Sequence, residues 1–268
     1  MIPAAMDYVR ADSAEAAVAA LAEHGEEAKL LAGGQSLIPL MRLRLATPAV
    51  LVDVGRASDL VGISVDSDTV SIGALTTHSA LEHSTDLATA CPLLAHVASV
   101  VGDPAVRHRG TLGGSLAHAD PASDLPAAVL ALGGTLVVTG PAGTREIAAT
   151  DFFTGFLESA LAADEVLTEV RVPVSTAGWA YQKFNRRAQD WAIVGAVVAE
   201  GGAGVALVNM GSTPLRASAV EAAVASGASA AEAAAGAADG TDPPTDTQAD
   251  AAYREHLARV LTARALEA

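Results

Sequence analysis

The stretch Leu30-Leu31-Ala32-Gly33-Gly34-Gln35-Ser36-Leu37 decides the fold of this 268-residue chain together with a second stretch, Thr111-Leu112-Gly113-Gly114-Ser115. Each stretch combines a glycine pair with short polar side chains. Because glycine has no Cβ and reaches positive φ at little cost, such segments let main-chain N–H groups converge on an anion. Two of them in one chain predict an extended ligand that is held from two sides.

The alternative for each glycine pair is a tight turn between a strand and a helix that binds nothing. The second stretch runs on into the polar segment from His118 to Pro126, within a chain that is 51% hydrophobic. This polar context favours a ligand site. The net charge of −15 means that a diphosphate would be bound by local N–H dipoles and hydroxyls, because the overall field repels anions.

Length, composition and charge exclude several classes of protein. The length allows two modest domains, and no apolar run approaches the roughly 20 residues that span a bilayer. The N-terminus lacks a basic region followed by an apolar one, so we expect a soluble, cytoplasmic protein without membrane insertion. The strongly acidic balance argues against nucleic-acid binding, which needs clustered Lys and Arg.

Metal and cluster chemistry is not expected on this chain. Cys91 is the only cysteine, which excludes an intrachain disulfide and a cysteine-held iron–sulfur cluster. The seven histidines show no spacing typical of a metal site. His118 lies within the second polar segment, where it either contacts a cofactor or partner or only packs locally.

The hydrophobic pattern divides the chain into a domain over residues 1–175, with subdomains at about 1–57 and 58–175, and a small α+β domain over 176–268. Helices are predicted at 13–24, 37–45, 78–83, 92–101, 125–132, 218–225 and 250–265. Strands are predicted at 29–31, 50–54, 62–65, 69–73, 135–139, 167–172, 180–184, 193–198 and 204–210. The segment 236–247 is predicted to be a solvated loop.

Five segments in the same order resemble the FAD-binding medium subunit of the molybdenum hydroxylases, the family of carbon monoxide dehydrogenase and of the flavin domain of xanthine dehydrogenase. They are Ile2-Pro3-Ala4, the stretch from Leu30 to Pro39, Arg107 to Ser115, Ala119 to Pro126 and Lys183 to Arg187. The resemblance spans nearly the whole chain, which makes it far more specific than a lone glycine pair.

The resemblance implies an α+β fold: a two-lobed FAD-binding domain of the vanillyl alcohol oxidase type, with a C-terminal domain of a three-stranded antiparallel sheet and helices. It implies an oxidoreductase subunit that passes electrons from iron–sulfur clusters through FAD to an external acceptor. The clusters and the molybdopterin are expected on a small and a large partner subunit, in a dimer of heterotrimers. The substrate is then selected by another chain, and no catalytic residue is expected here.

The resemblance also assigns site residues. Its cofactor-binding set is Leu30, Leu31, Ala32, Gly33, Gly34, Gln35, Ser36, Leu37, Val101, Thr111, Gly113, Gly114, Ser115, Asp120, Asp124, Leu167, Lys183 and Trp191. The first stretch would wrap the pyrophosphate and the second would close the other side. Val101 and Leu167 would line the flavin ring.

Four of these residues have competing interpretations. Asp120 and Asp124 form a possible acid–base pair, but cofactor positioning or helix capping by Asp124 is the better interpretation for an electron-transfer flavin. Lys183 is either a cation beside the flavin pyrimidine edge or a solvated strand-edge charge. Trp191 either covers one face of the ring or caps the core of the C-terminal domain.

Two rival functions remain. A non-catalytic domain of the same fold would bind a nucleotide or a partner without turnover. A self-sufficient flavin oxidase would need its own substrate pocket. A visible spectrum of the purified protein separates a flavin carrier from an empty domain.

Overall fold

The computed structural model describes residues 2–268 and contains three larger sheets in series along the chain, together with one two-stranded sheet. The first is a parallel three-stranded sheet in the order β1-β3-β2. Its elements are β1 (Asp7–Arg10), α1 (Ala14–His24), β2 (Ala28–Leu31), α2 (Leu37–Leu43) and β3 (Val50–Asp53).

Helix α1 shows why this subdomain forms where the sequence predicts it. Ser13 caps the helix by accepting a hydrogen bond from the Ala16 N–H, and Gly25 ends it at φ +58°. Ala17, Ala20 and Leu21 bury the inner face against the sheet. Strand β2 of this sheet leads directly into the first glycine pair.

The second region is built on an antiparallel five-stranded sheet in the order β4-β5-β10-β6-β7. Its elements are β4 (Ile63–Val65), β5 (Thr69–Gly73), α3 (His78–His83), α4 (Thr85–Ala90), α5 (Pro92–Ser99), α6 (Pro104–Arg107), α7 (Leu112–His118), α8 (Asp124–Ala131), β6 (Thr135–Gly140), β7 (Gly143–Ala148), α9 (Ala149–Phe152), β8 (Phe153–Gly155), β9 (Glu158–Ser159) and β10 (Val166–Pro173). Helix α8 is buried along its whole length and packs between this sheet and the next one.

The third region is a four-stranded antiparallel sheet in the order β11-β12-β13-β14, covered by helices. Its elements are β11 (Ala180–Phe184), β12 (Val194–Ala199), β13 (Gly204–Val208), β14 (Leu215–Arg216), α10 (Ser218–Ala225), α11 (Ala230–Ala234) and α12 (Ala251–Leu266). Every residue of β12 and β13 is buried, because α8 covers one face of these strands and α12 covers the other.

Several sequence predictions need correction at this level. The C-terminal sheet has four strands rather than three, since the two-residue strand β14 is too short to give a periodic signal. The second glycine pair lies inside helix α7, in a segment where no helix is predicted. Strands β1 and β7 were missed because their residues are largely exposed, and the predicted loop 236–247 begins within a 3-10 turn at Ala235–Ala238.

No helix within residues 2–268 combines the length and the apolar character that crossing a membrane requires.

Candidate functional site

The two glycine stretches meet on one side of a cleft of about 700 Å³ between the first sheet and the second region. This volume lies in the range of cavities that hold cofactors and drug-sized ligands. The cleft is lined by residues of both stretches, of the segment after α5, of strand β10 and of the segment after β11. The site is therefore assembled from parts of the chain that are distant in sequence.

The first stretch touches the backbone of Arg109 and Gly110, the two residues immediately before the second stretch. A Cβ on Gly33 would lie 2.1 Å from the Arg109 carbonyl oxygen and 2.9 Å from the Gly110 Cα. No side chain fits into that space, so Gly33 is required for the contact itself. Gly34, by contrast, needs its glycine for conformation, because its φ is +75°.

The first stretch leaves its main-chain donors free. Within residues 2–268, the N–H groups of Gly33, Gly34, Gln35 and Ser36 donate to no protein acceptor, and the Ser36 hydroxyl makes no capping bond to α2. Gly33, Gly34 and Ser36 are half-buried and Gln35 is exposed. Four consecutive N–H groups without a protein acceptor at the wall of a cleft form the kind of backbone concavity that binds an anion.

In the second stretch the main-chain N–H groups donate to protein acceptors. The Gly113 N–H donates to the Ala74 carbonyl over 2.8 Å, and the Gly114 N–H to the Thr111 hydroxyl over 3.1 Å. Thr111 thereby caps α7, and the Ser115 N–H closes the first turn on the Thr111 carbonyl. A Cβ on Gly113 would lie 2.5 Å from the Ala74 Cβ, so this glycine permits close packing of α7.

Most of the predicted cofactor-binding residues line the cleft, but four do not. The cleft-lining members are Leu30, Ala32, Gly33, Gly34, Gln35, Ser36, Leu37, Val101, Thr111, Gly113, Gly114, Ser115, Leu167 and Trp191. The four that lie outside the lining are Leu31, Asp120, Asp124 and Lys183. Trp191 is 63% exposed, so it does not cap the core of the C-terminal region.

Lys183 and Asp124 form a buried ion pair behind the cleft wall. The Lys183 Nζ donates to an Asp124 carboxylate oxygen over 2.9 Å and to the Val100 carbonyl over 3.0 Å, and the Tyr181 hydroxyl donates to the other Asp124 oxygen. The two side chains are 8% and 4% exposed. Lys183 is thus neither a solvated strand-edge charge nor a residue of the cleft surface.

Burial shapes the protonation of this cluster. It raises the pKa of Asp124, an effect that the neighbouring Lys183 ammonium opposes. Burial and the adjacent Asp124 carboxylate raise the pKa of Tyr181 well above its usual range. Tyr181 and Lys183 belong to β11 while Asp124 begins α8, so the cluster fastens the C-terminal sheet to the cleft-bearing region.

Asp120 also has a structural role, because it stabilises a local backbone turn. It is 7% exposed, and its carboxylate accepts the Ala122 N–H over 2.9 Å, which holds the turn before α8. Both carboxylates of the proposed acid–base pair are thus engaged by protein groups. No group of three or more His, Cys, Asp or Glu side chains suited to hold a metal ion occurs in residues 2–268.

Two cleft residues escaped the sequence analysis. Lys29 of β2 is the only lysine or arginine among the lining residues, and an exposed position in a short strand gives no signal of this. His78, at the start of α3, lines the cleft at 4% exposure. Burial and, to a smaller extent, the positive charge of Arg107 lower its pKa to about 4, so the imidazole is neutral at pH 7.

Known proteins are similar to this chain in both sequence and fold. The family model described as "FAD binding domain in molybdopterin dehydrogenase" matches residues 4–175, and the model described as "CO dehydrogenase flavoprotein C-terminal domain" matches residues 179–268. The carbon monoxide dehydrogenase medium chain of Afipia carboxidovorans is 40% identical over 280 residues, covering 100% of this chain and 97% of the relative. The caffeine dehydrogenase subunit beta of Pseudomonas sp. (strain CBB1) is 38% identical, covering 82% of this chain and 78% of that one.

A solved carbon monoxide dehydrogenase from Hydrogenophaga pseudoflava, a form that lacks the Mo-pyranopterin moiety of its molybdenum cofactor, contains a similar chain. The superposition has a TM-score of 0.94 at 41% identity and covers 100% of this chain and 98% of the other. The chain therefore belongs to the family of FAD-binding medium subunits of the molybdenum hydroxylases, and it is an FAD-carrying oxidoreductase subunit.

Proposed function

We propose that the cleft holds FAD with its diphosphate on the free N–H groups of the first glycine stretch and its flavin ring between Val101, Leu167 and Trp191. The single observation that carries this assignment is the run of unpaired donors from Gly33 to Ser36. These donors face a cleft large enough for a dinucleotide, and the second stretch forms the adjoining wall.

The residues present fit this cofactor. Lys29 is the only lysine or arginine of the lining, so a dianionic diphosphate would be stabilised mainly by main-chain dipoles and the free Ser36 hydroxyl. The absence of a side chain at Gly33 and Gly34 lets those dipoles approach the phosphate oxygens closely. Apolar side chains farther along the cleft suit an aromatic ring system.

The chain's own contribution to the chemistry is binding, orientation and control of water. Bound FAD supplies a centre that accepts electrons and passes them to an external acceptor. Val101 and Leu167 keep water from the inner part of the cleft, and the exposed Trp191 stands where an acceptor would approach. The carboxylates of Asp120 and Asp124 are hydrogen-bonded to protein groups and lie outside the cleft lining, so this pair supplies no acid–base chemistry to the cleft.

The relatives are medium chains of complexes with several subunits, so this chain has small and large partner subunits. We further propose that the small partner carries the iron–sulfur clusters, the large one carries molybdopterin, and the assembly is a cytoplasmic dimer of heterotrimers. We also propose a domain boundary after residue 175, because β10 and β11 belong to different sheets and do not pair. Co-expression of the three subunits followed by native mass spectrometry tests the stoichiometry, and cell fractionation tests the location.

The decisive experiment for cofactor identity is a visible spectrum of the purified chain followed by acid precipitation. We expect two flavin bands, about one FAD per chain, and release of all colour into the supernatant. Colour retained by the precipitate, or FMN in the supernatant, would contradict non-covalent FAD. Oxidation of an organic substrate by the isolated chain would instead support the self-sufficient oxidase.

A further inference from the structure

His78 has a prepared position in the cleft wall but no assigned role. Its main-chain N–H donates to the Gly110 carbonyl over 2.9 Å, and Thr77 caps the helix that begins with it by accepting the Ala80 N–H. These two contacts fix the backbone on both sides of the ring. The backbone that carries the imidazole therefore has a defined place before any ligand binds.

The space for the ring is created by a glycine of the second region. A Cβ on Gly110 would lie 2.7 Å from the His78 Cδ2 and 2.8 Å from its Nε2. Gly110 also touches Gly33, whose hypothetical Cβ would lie 2.9 Å from the Gly110 Cα. The ring is thus placed at the point where the two glycine stretches meet.

The polar atoms of this ring are not satisfied by the protein. Nδ1 is buried and has no hydrogen-bond partner among residues 2–268. Buried side-chain polar atoms normally have a partner, and one without a partner in a cleft wall indicates a group that the ligand completes. A neutral imidazole offers one N–H donor and one bare nitrogen, and rotation of the ring can present either edge. The lowered pKa agrees with a neutral ring that is held away from water.

We propose that His78 is a further cofactor-contacting residue, whose imidazole hydrogen-bonds an oxygen of FAD beside the junction of the two glycine stretches. This inference rests on the proposed function, because it assumes that FAD occupies the cleft. It adds a side-chain contact from α3 to a site otherwise described by two backbone segments and an apolar wall. It also explains why residue 110 must lack a side chain.

The test compares His78→Leu with His83→Leu in the full chain. His83 lies on the same helix, but its side chain is 72% exposed. We expect His78→Leu to raise the dissociation constant for FAD about tenfold, the effect of losing one good hydrogen bond. The melting temperature of the cofactor-free variant should stay equal or rise, because an unpaired buried polar group is replaced by an apolar one. His83→Leu should change neither quantity.

A merely structural role for His78 predicts a different result, in which the melting temperature of the cofactor-free protein and the FAD affinity fall together. Equal FAD affinity of His78→Leu and wild type would overturn the proposal. His78→Gln, which keeps a donor and an acceptor, should restore part of the affinity.

A measurement on the wild-type chain keeps the proposal falsifiable if His78→Leu does not fold. Histidine ¹⁵N resonances are recorded before and after addition of FAD, with the His78 signals assigned from their absence in His78→Gln. We expect a His78 nitrogen to shift on binding while the His83 nitrogens do not. Unchanged His78 nitrogens in a chain that binds FAD would refute the contact alone, whereas a wild-type chain that binds no FAD would refute the proposed function.

Discussion

The two glycine pairs look alike in sequence but do different work in the structure. Gly33-Gly34 belongs to an open segment whose N–H groups, continuing to Ser36, are free for a ligand. Gly113-Gly114 lies within helix α7, where the N–H groups bond to Ala74 and Thr111. One pair presents donors, and the other lets a helix pack closely enough to form the adjoining wall.

This difference shows that a glycine pair in a sequence does not by itself indicate one structural role. Gly34 alone among these four glycines has a positive φ. Gly33 and Gly113 are glycines because a neighbouring backbone or Cβ occupies the space that a side chain would need. The expectation that both pairs direct N–H groups at an anion therefore fits the first pair only.

The largest expected effect on FAD affinity comes from adding one methyl group to the first stretch, at Gly33. Gly33→Ala would press a Cβ against the Arg109 carbonyl oxygen, a backbone atom that cannot rotate away. We expect at least ~100-fold weaker FAD binding, because the displaced loop loses several hydrogen bonds worth about 1 kcal/mol each. Isothermal titration of the cofactor-free protein measures it.

Gly114→Ala is the matched change in the second stretch. Its Cβ would lie 2.7 Å from the Thr111 hydroxyl oxygen, a close contact that a side-chain rotation of Thr111 relieves, and at an ordinary 3.9 Å from the Ala32 Cβ. We expect a loss of FAD affinity below about tenfold, equivalent to ~1.4 kcal/mol. Equal losses in Gly33→Ala and Gly114→Ala would break the distinction between the two stretches.

The largest expected effect on stability, rather than on FAD affinity, concerns the ion pair behind the cleft wall. Lys183→Met leaves the Asp124 carboxylate buried without its cation, which should lower the free energy of unfolding by about 3–5 kcal/mol. Urea unfolding of the cofactor-free protein measures this loss. Adding Asp124→Asn should recover part of the stability, since the uncompensated charge is then gone. Unchanged stability with an altered flavin reduction potential would instead favour the role of Lys183 at the flavin edge.

A third effect should appear as a pH dependence of stability in the cofactor-free protein. His78 has a pKa of about 4 in the folded chain, below its ordinary value of 6.5, because it is buried and lies near Arg107. Protonation therefore favours the unfolded chain, and stability present above pH 6.5 is lost as the pH falls toward 4. We expect His78 to account for about 2 kcal/mol of loss between pH 7 and pH 5.

Urea unfolding at the two pH values, compared between wild type and His78→Leu, isolates this contribution. The His83→Leu variant serves as the control, because its exposed ring should follow the wild-type pH profile. If His78→Leu loses as much stability between pH 7 and pH 5 as wild type does, the His78 ring is not held neutral in the folded chain.

The smallest effect separates the two hydroxyls that precede α2 and α7. Thr111→Ala removes a helix cap and should lower the stability of the cofactor-free protein by about 1 kcal/mol. Ser36→Ala removes no capping bond, so it should leave that stability unchanged and weaken FAD binding instead. Thermal melts with and without FAD measure both quantities. A stability loss in Ser36→Ala equal to that in Thr111→Ala would contradict the assignment of free donors to the first stretch.

Much of the fold was predictable because its elements carry local signals. Helix α1 begins after a capping Ser13 and ends at Gly25, and β5 alternates buried and half-buried residues as a half-exposed strand should. Strand β14 and helix α7 lack such signals. The first is two residues long, and the second contains two glycines that disfavour a helix unless packing against Ala74 stabilises it.

The sequence by itself determined the family, the cofactor class and the elements with strong local signals, because capping residues, hydrophobic periodicity and the five motif segments are local patterns. Only the tertiary structure decided which donors are free, that Lys183 is paired with Asp124 behind the cleft, and that His78 lies where the two stretches meet. These facts depend on contacts between residues far apart in the sequence: Lys183 is 59 positions from Asp124 and 83 positions from Val100. Such contacts form only when the three sheets pack together, so no local pattern in the sequence can encode them separately.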